Sequence, residues 1–231
     1  MPKILHSPNL SKFSNLIHGF TTKELGNDYD RIAQEIKVLP SQIYSLKQIH
    51  STRVVYMDRG MDLVHLPEGD ALVTDRKDII IGVKTADCVP ILLYDEVKEV
   101  IAAVHAGYRG LVNGVIQEAL RIMTASLHCC LENIHAAIGP AISEHHYEVG
   151  DEVIEEFKTK YRDRFKWSQR HGGRPHLDLK GTAQMVLQEC GLDLLHIMDL
   201  HLCTYEHADL FFSYRRQKSE GRQFNFIGMV S

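Results

Sequence analysis

A thiol and an imidazole stand at mirrored places in one stretch of this sequence. Thr85-Ala-Asp-Cys-Val-Pro-Ile-Leu-Leu-Tyr94 and Glu99-Val-Ile-Ala-Ala-Val-His-Ala-Gly107 read as the two strands of a β-hairpin. With Asp95 to Lys98 as the loop, Tyr94 faces Glu99, Ile91 faces Ala102 and Cys88 faces His105. Directly opposed residues place their Cβ atoms roughly 4.5–5.5 Å apart. That spacing lets a thiolate and an imidazole share one zinc, with Zn–S at ~2.3 Å and Zn–N at ~2.0–2.1 Å. Pro90 interrupts the ladder, because it has no N–H to donate. The same pair supports a second chemistry, a Cys88 thiolate nucleophile with His105 as its base. A third reading makes Cys88 a small buried hydrophobe. Asp87 beside it argues against that, since a carboxylate is expensive to bury without a partner.

A zinc site needs a third ligand, and His50 is the candidate. In Ser45-Leu-Lys-Gln-Ile-His50, strand alternation puts Gln48 and His50 on one face and Lys47 with Ile49 on the other. Three protein ligands with one open position is the pattern of catalytic zinc, whereas structural zinc closes with four. The alternative is an edge-strand histidine satisfied by its surroundings.

Arg109 lies in Gly107-Tyr-Arg-Gly110, where a strand turns into a helix. Backbone N–H groups and the helix dipole favour an anion there, and the guanidinium fork binds phosphate or carboxylate with two bonds. A surface acid would satisfy it equally well. In the tail, Asp209-Leu-Phe-Phe-Ser-Tyr-Arg-Arg216 sets Ser213, Arg215 and Arg216 beside aromatic rings, which suits a planar base or a phosphate. A solvated strand end has the same pattern. Cys129-Cys130 reads as a helix end, His145-His146 as loop surface, and the acids Asp151, Glu152, Glu155 and Glu156 as a solvated face helped by the helix N-terminus.

The elements that must position these residues are legible as periodicity. Strands are expected at Ile17 to Thr21, Ile43 to His50, Thr52 to Met57, Ala71 to Thr74, Ile79 to Val83, Ile134 to Ile138, Leu194 to Leu202, Phe211 to Tyr214 and Phe224 to Val230. Helices are expected at Asp28 to Val38, Gly110 to Leu127, Asp151 to Tyr161 and Asp178 to Glu189. Strands precede, separate and follow the helices without a βαβ rhythm. This predicts an α+β fold with mixed sheets flanked by helices, in a single domain over residues 1–231.

The bulk numbers are those of an ordinary globular chain. It has 231 residues, 44% hydrophobic and 24% charged, enough for a sizeable core. A net charge of −4 gives no reason to expect nucleic acid or an anionic membrane as partner. No apolar run approaches the ~18 residues of a membrane helix, and the start lacks a signal-peptide core. Five cysteines with no CxxC pair read as free thiols in a reducing compartment, so a cytoplasmic protein is expected.

Taken in order, Lys47-Gln-Ile-His50, Gly69-Asp-Ala-Leu-Val-Thr74, Thr85-Ala-Asp-Cys-Val-Pro-Ile-Leu92, His105-Ala-Gly-Tyr-Arg-Gly110, Ile138-Gly-Pro140, Cys203-Thr204 and Phe211-Phe-Ser-Tyr-Arg-Arg216 form a specific set. With it the chain resembles the laccase-domain family, also named multicopper polyphenol oxidoreductases and regarded as purine nucleoside phosphorylases. The resemblance runs from His18-Gly-Phe20 to Gly221-Arg-Gln223. It implies a zinc held by His50, Cys88 and His105. It also implies phosphorolysis of adenosine, inosine, guanosine and methylthioadenosine, together with deamination of adenosine. On that reading Arg109 holds phosphate, and Asp87 or a zinc-bound water handles protons. Lys23, Gln48, Ser213 and Arg215 join Arg109 as substrate- or phosphate-binding candidates. Two positions depart from the family pattern. Lys23 replaces an arginine, which keeps the charge and loses the planar fork, and Tyr108 stands where tryptophan is frequent.

Two enzymatic rivals remain. The older family label implies copper-dependent oxidation of phenols. Multicopper centres are built from repeated His-x-His pairs, and none occurs in this chain, although the donor set suits zinc and copper alike. A cysteine hydrolase would use the Cys88–His105 dyad. A non-catalytic module binding a small molecule or a partner is the third alternative.

Overall fold

Alternating apolar runs fold into two mixed sheets packed face to face, with helices on both outer sides. The computed structural model describes residues 1–61, 67–169, 173–218 and 221–230. The strands are β1 (Ile4–Leu5), β2 (Leu16–Thr21), β3 (Ile43–Tyr44), β4 (Val54–Tyr56), β5 (Ala71–Thr74), β6 (Ile80–Thr85), β7 (Val89–Asp95), β8 (Val100–Ala106), β9 (Ile134–Ile138), β10 (Trp167–Gln169), β11 (Pro175–Leu177), β12 (Ile197–Asp199) and β13 (Gln223–Met229). The α-helices are α1 (Pro8–Ser11), α2 (Tyr29–Ile36), α3 (Tyr108–Asn113), α4 (Val115–Arg121), α5 (Asp151–Tyr161) and α6 (Leu179–Glu189). One sheet runs β1-β2-β13-β6-β3 and the other β12-β9-β7-β8-β5-β4, while β10 and β11 form a separate hairpin. The expected α+β fold with mixed sheets is what the chain adopts.

Three apolar layers hold the sandwich together. Between the sheets lie Phe20, Ile81, Val83 and Ile227 from one side and Leu72, Leu92, Tyr94 and Ile101 from the other. The outer face of the larger sheet packs Val89, Ile91, Leu93 and Val104 against Leu111, Ile116, Phe157 and Leu187 of the helices. On the smaller sheet, Ile80, Phe224 and Phe226 take Ile32 and Ala33 of α2. Central strands β7 and β8 are therefore buried on both faces, which explains their near-continuous apolar runs.

Several boundaries depart from the pattern reading, each for a local reason. The β7–β8 register lies two residues away from expectation: Val89 faces Ala106, Pro90 faces His105 and Asp95 faces Val100. Asp95 stays in the strand because its carboxylate accepts from the N–H groups of Val97 and Lys98, which moves the loop to residues 96–99. A shift of two keeps every side chain on its original face, so Cys88 and His105 remain on one side without being directly opposed.

The expected strand to His50 ends at Tyr44. Beyond it the Gln48 side chain takes over the pairing, accepting from Lys84 N at 2.7 Å and donating to Lys84 O at 2.7 Å. The expected helix from Gly110 breaks at Gly114, whose φ of +101° ends α3 and starts α4, and it finishes in a π-turn over Ile122–Ser126. Leu194–His196 is a 3-10 turn capped by Asp193, ahead of the short β12. Residues 211–214 form no strand, because the Arg216 guanidinium donates to the carbonyls of Phe211, Thr204 and Tyr205 and curls the segment.

Candidate metal centre

Three segments bring nitrogen and sulfur atoms that could ligate a metal close together. Cys88 precedes β7, His105 sits near the end of β8, and His50 lies between β3 and β4. Their ligand atoms all lie within 4.8 Å of one another. Cys88 Sγ is 3.9 Å from His50 Nε2, and the two imidazole centroids are 4.8 Å apart at 78°. Around a tetrahedral zinc the S···N separation would be about 3.6 Å at ordinary bond lengths, so a small contraction brings the donors onto an ion.

A second feature shows that the space among them is kept open. Extending the observed register one pair places Gly107 opposite Cys88. A Cβ on Gly107 would come 2.9 Å from His50 Cδ2 and 3.1 Å from Cys88 Sγ. The donor set and this cradle fit a transition ion.

Asp70, fully buried just ahead of β5, organises two of the three ligands. One carboxylate oxygen lies 2.8 Å from His105 Nδ1 and accepts from His50 N at 2.9 Å. The other accepts from Ser51 N at 2.6 Å, Ser51 Oγ at 2.7 Å and Ile49 N at 3.3 Å. These bonds hold His50 in a left-handed conformation, φ +59°, which strand alternation could not have brought to the site. A carboxylate behind a ligating histidine fixes the tautomer and raises ligand basicity. Asp70 was legible only as a carboxylate ahead of an apolar strand; its partners are distant in sequence.

The electrostatics follow from this packing. Burial opposes ionisation of Cys88, but the charge and hydrogen bonds of His105 and His50 outweigh it and bring the thiol down to about 6. Burial likewise opposes protonation of His105, and Cys88 and Asp70 outweigh it, raising the imidazole to about 9. Burial of Asp70 is outweighed by hydrogen bonds from His105 and Ser51, leaving its carboxyl at about 2. The thiol is thus held as a thiolate, the form that both ligates metals and attacks electrophiles.

The remaining expected residues fall into two groups. Asp87, 7% exposed with φ +124°, uses both oxygens: one accepts from Thr204 Oγ1 at 2.7 Å, the other from Arg215 N at 2.7 Å. It ties the Cys88 segment to the tail. Ser213 is buried and accepts from Arg216 N, and Gln48 is committed to Lys84. These are internal ties. Arg215 faces outward: its guanidinium donates to Glu148 O at 2.6 Å and covers the Tyr147 ring at 5.1 Å. Arg109 donates to the hydroxyl of Tyr108 at 2.9 Å, and Lys23 lies 5.3 Å from the Phe212 ring centroid.

Tyr108, Tyr147, Glu148, Arg174 and Arg215 line a groove of about 610 Å³. Burial raises the Tyr147 hydroxyl far above its ordinary value, and the charge of Cys88 adds to the shift. Tyr147 and Arg174 were not singled out from sequence, because neither belongs to a motif with chemical spacing.

Comparison with known proteins gives the chain its relatives. Residues 17–230 match the family model for multi-copper polyphenol oxidoreductase laccase. A purine nucleoside phosphorylase of Deinococcus radiodurans is 36% identical over 200 residues, covering 86% of this chain and 75% of its own. Adenosine deaminase RL5, from an unknown prokaryotic organism, is 34% identical over 206 residues, covering 85% and 78%. The crystal structure of YlmD from Geobacillus stearothermophilus superposes with a TM-score of 0.90 at 26% identity, covering 100% of this chain and 97% of that one.

Proposed function

We propose, from the premise that this chain belongs to the multi-copper polyphenol oxidoreductase laccase family, that it is a zinc-dependent purine nucleoside phosphorylase with adenosine deaminase activity. Relatives named for both activities support the reading. One observation carries it: the His50–Cys88–His105 cluster is tied to a groove of aromatic rings and guanidinium groups through Tyr108, next to Gly107, and through Arg215, whose N–H is bonded to Asp87 beside Cys88. Adenosine, inosine, guanosine and methylthioadenosine share the purine face and ribose that such a groove accepts.

Zinc held by the three ligands would act as a Lewis acid and lower the pKa of a water to about 7. The chain's own residues do the rest. Tyr108 and Tyr147 offer ring faces to the purine. Arg215, with Arg109 at the α3 start, supplies positive charge for phosphate, and Lys23 is a further cation for this role. In phosphorolysis the phosphate oxygen bonds to ribose C1′, the C1′–N9 bond breaks, and the purine leaves and takes up a proton. In deamination water adds at the amino-bearing carbon and ammonia departs. Asp87 keeps Arg215 and Thr204 in place, and a proton role for it requires release of one of those bonds.

The test is to purify the chain without added metal, quantify zinc and copper, and follow inosine and adenosine with and without phosphate. The reading expects zinc, phosphate-dependent hypoxanthine from inosine, and phosphate-independent inosine from adenosine. Cys88→Ala should lose both metal and turnover; full phosphorolysis by that variant would refute the proposal. Copper with phenol oxidation would instead favour the laccase label. The lowered Cys88 thiol beside His105 supports one rival, the cysteine hydrolase. Absence of metal together with rapid alkylation of the thiol near neutral pH would favour it.

A further inference from the structure

Asp87 holds a backbone conformation that side chains rarely adopt, with φ at +124°. Such strain persists only where the surroundings impose it, and it collects at functional sites. Strand β6 ends at Thr85 in one sheet and β7 starts at Val89 in the other, so Ala86, Asp87 and Cys88 make the whole crossing. In so short a link, the torsion at Asp87 sets the direction in which Cys88 leaves.

Three anchors impose that torsion, all from far along the chain. The carbonyl of Asp87 accepts from Ile142 N at 3.0 Å. One carboxylate oxygen accepts from Arg215 N at 2.7 Å, and the other from Thr204 Oγ1 at 2.7 Å. The first two donors are backbone groups; Thr204 supplies the side chain. It is fully buried and is itself held, its N–H donating to Ala141 O at 3.1 Å and its carbonyl accepting from the Arg216 guanidinium at 2.9 Å. A hydroxyl fixed this firmly dictates where the carboxylate stays. Deleting it would leave a buried carboxylate oxygen short of a donor, which is costly.

We propose that Thr204 is a positioning residue for the metal centre: through the Asp87 carboxylate, its hydroxyl holds the strained link that aims Cys88 at His50 and His105. Cys88 Sγ stands 3.9 Å from His50 Nε2, so a small turn of the link would carry the sulfur out of reach of a shared ion. The inference rests on the reading of His50, Cys88 and His105 as metal ligands and is independent of the nucleoside chemistry. It gives Asp87 a task that needs both of its oxygens where they are.

Cobalt(II) titration of the metal-free full-length protein tests it. A cobalt–thiolate bond adds a charge-transfer absorption that reports Cys88, with Cys88→Ala as the blank. Thr204→Val keeps the shape and deletes the hydroxyl. It should bind cobalt about tenfold more weakly, the low end of what a lost supporting group costs a metal site, and show a weaker charge-transfer band per bound ion. Thr204→Ser, which keeps the hydroxyl, should restore both. A role confined to packing would lower the melting temperature and leave the band unchanged. Should Thr204→Val fail to fold, Asp87→Gly carries the test, since glycine accepts the torsion without strain and lacks the carboxylate that fixes it; the same weakening is expected. Wild-type affinity and band in the variant that carries the test, or equal losses in Thr204→Val and Thr204→Ser, would overturn the inference alone. A wild-type protein that binds no cobalt through sulfur would overturn the metal reading beneath it as well.

Discussion

Asp70 and His105 are joined by a 2.8 Å hydrogen bond between a carboxylate oxygen and Nδ1, with both side chains buried. The same carboxylate gathers the N–H groups of Ile49, His50 and Ser51. It therefore sets the ring of one ligand and the backbone of another. Asp70→Asn keeps the shape and removes the charge. It should weaken zinc affinity by roughly 10–100-fold, the usual effect of losing such a supporting carboxylate, as read by competition with a chromophoric chelator. Unchanged affinity would mean that the ligands are held by packing alone.

Gly107→Ala separates the site from the fold. The Gly107 backbone, φ −71° and ψ 166°, suits any residue, so the metal-free variant should melt within about 4 °C of the metal-free wild type, a difference of about 1 kcal/mol. Its methyl group would press on Cys88 Sγ and His50 and should abolish stoichiometric metal binding. Retention of metal would show that the three ligands close elsewhere.

Arg215 has two separable functions. Its N–H anchors Asp87, and its guanidinium covers Tyr147. Arg215→Ala keeps the first and removes the second. KM for nucleoside or phosphate should rise by about tenfold with kcat little changed, the signature of lost uniform binding. A fall in kcat at constant KM would instead give the guanidinium a role in the bond-breaking step.

His18 makes stability depend on pH. It is 4% exposed on β2, its Nε2 accepts from Ser7 N at 3.0 Å, and burial with the nearby His6 lowers it from 6.5 to about 4. Between these values the unfolded chain binds the extra proton. The stabilisation is complete above pH 6.5 and is lost as pH falls toward 4, by on the order of 3 kcal/mol at most. His18→Gln should flatten the melting temperature over that range. An equally steep profile in the variant would assign the dependence to other groups.

Much of this was written in local pattern. The runs Ala71–Thr74, Ile134–Ile138 and Asp151–Tyr161 became elements with those bounds, because each matches one periodicity and ends at a polar or glycine signal. Cys88, His105 and His50 were legible as candidate ligands from residue type, and the fold brings the three together although the register and strand that suggested it differ. What escaped depends on partners far away in sequence. The Asp95 side chain resets the hairpin loop, Gln48 replaces a strand with one amide, and Arg216 curls a segment that alternation would extend. Asp70 is the clearest case, since its value lies wholly in N–H groups some twenty residues earlier and an imidazole thirty-five residues later.

Two of the three ligands occupy crossovers. His50 follows β3 of one sheet and precedes β4 of the other; Cys88 follows β6 of the first and precedes β7 of the second. An ion gripped by both acts as a rivet driven through two plates. Sliding one sheet over the other would have to shear it, so on the proposed reading metal loading would also set how readily the sandwich breathes.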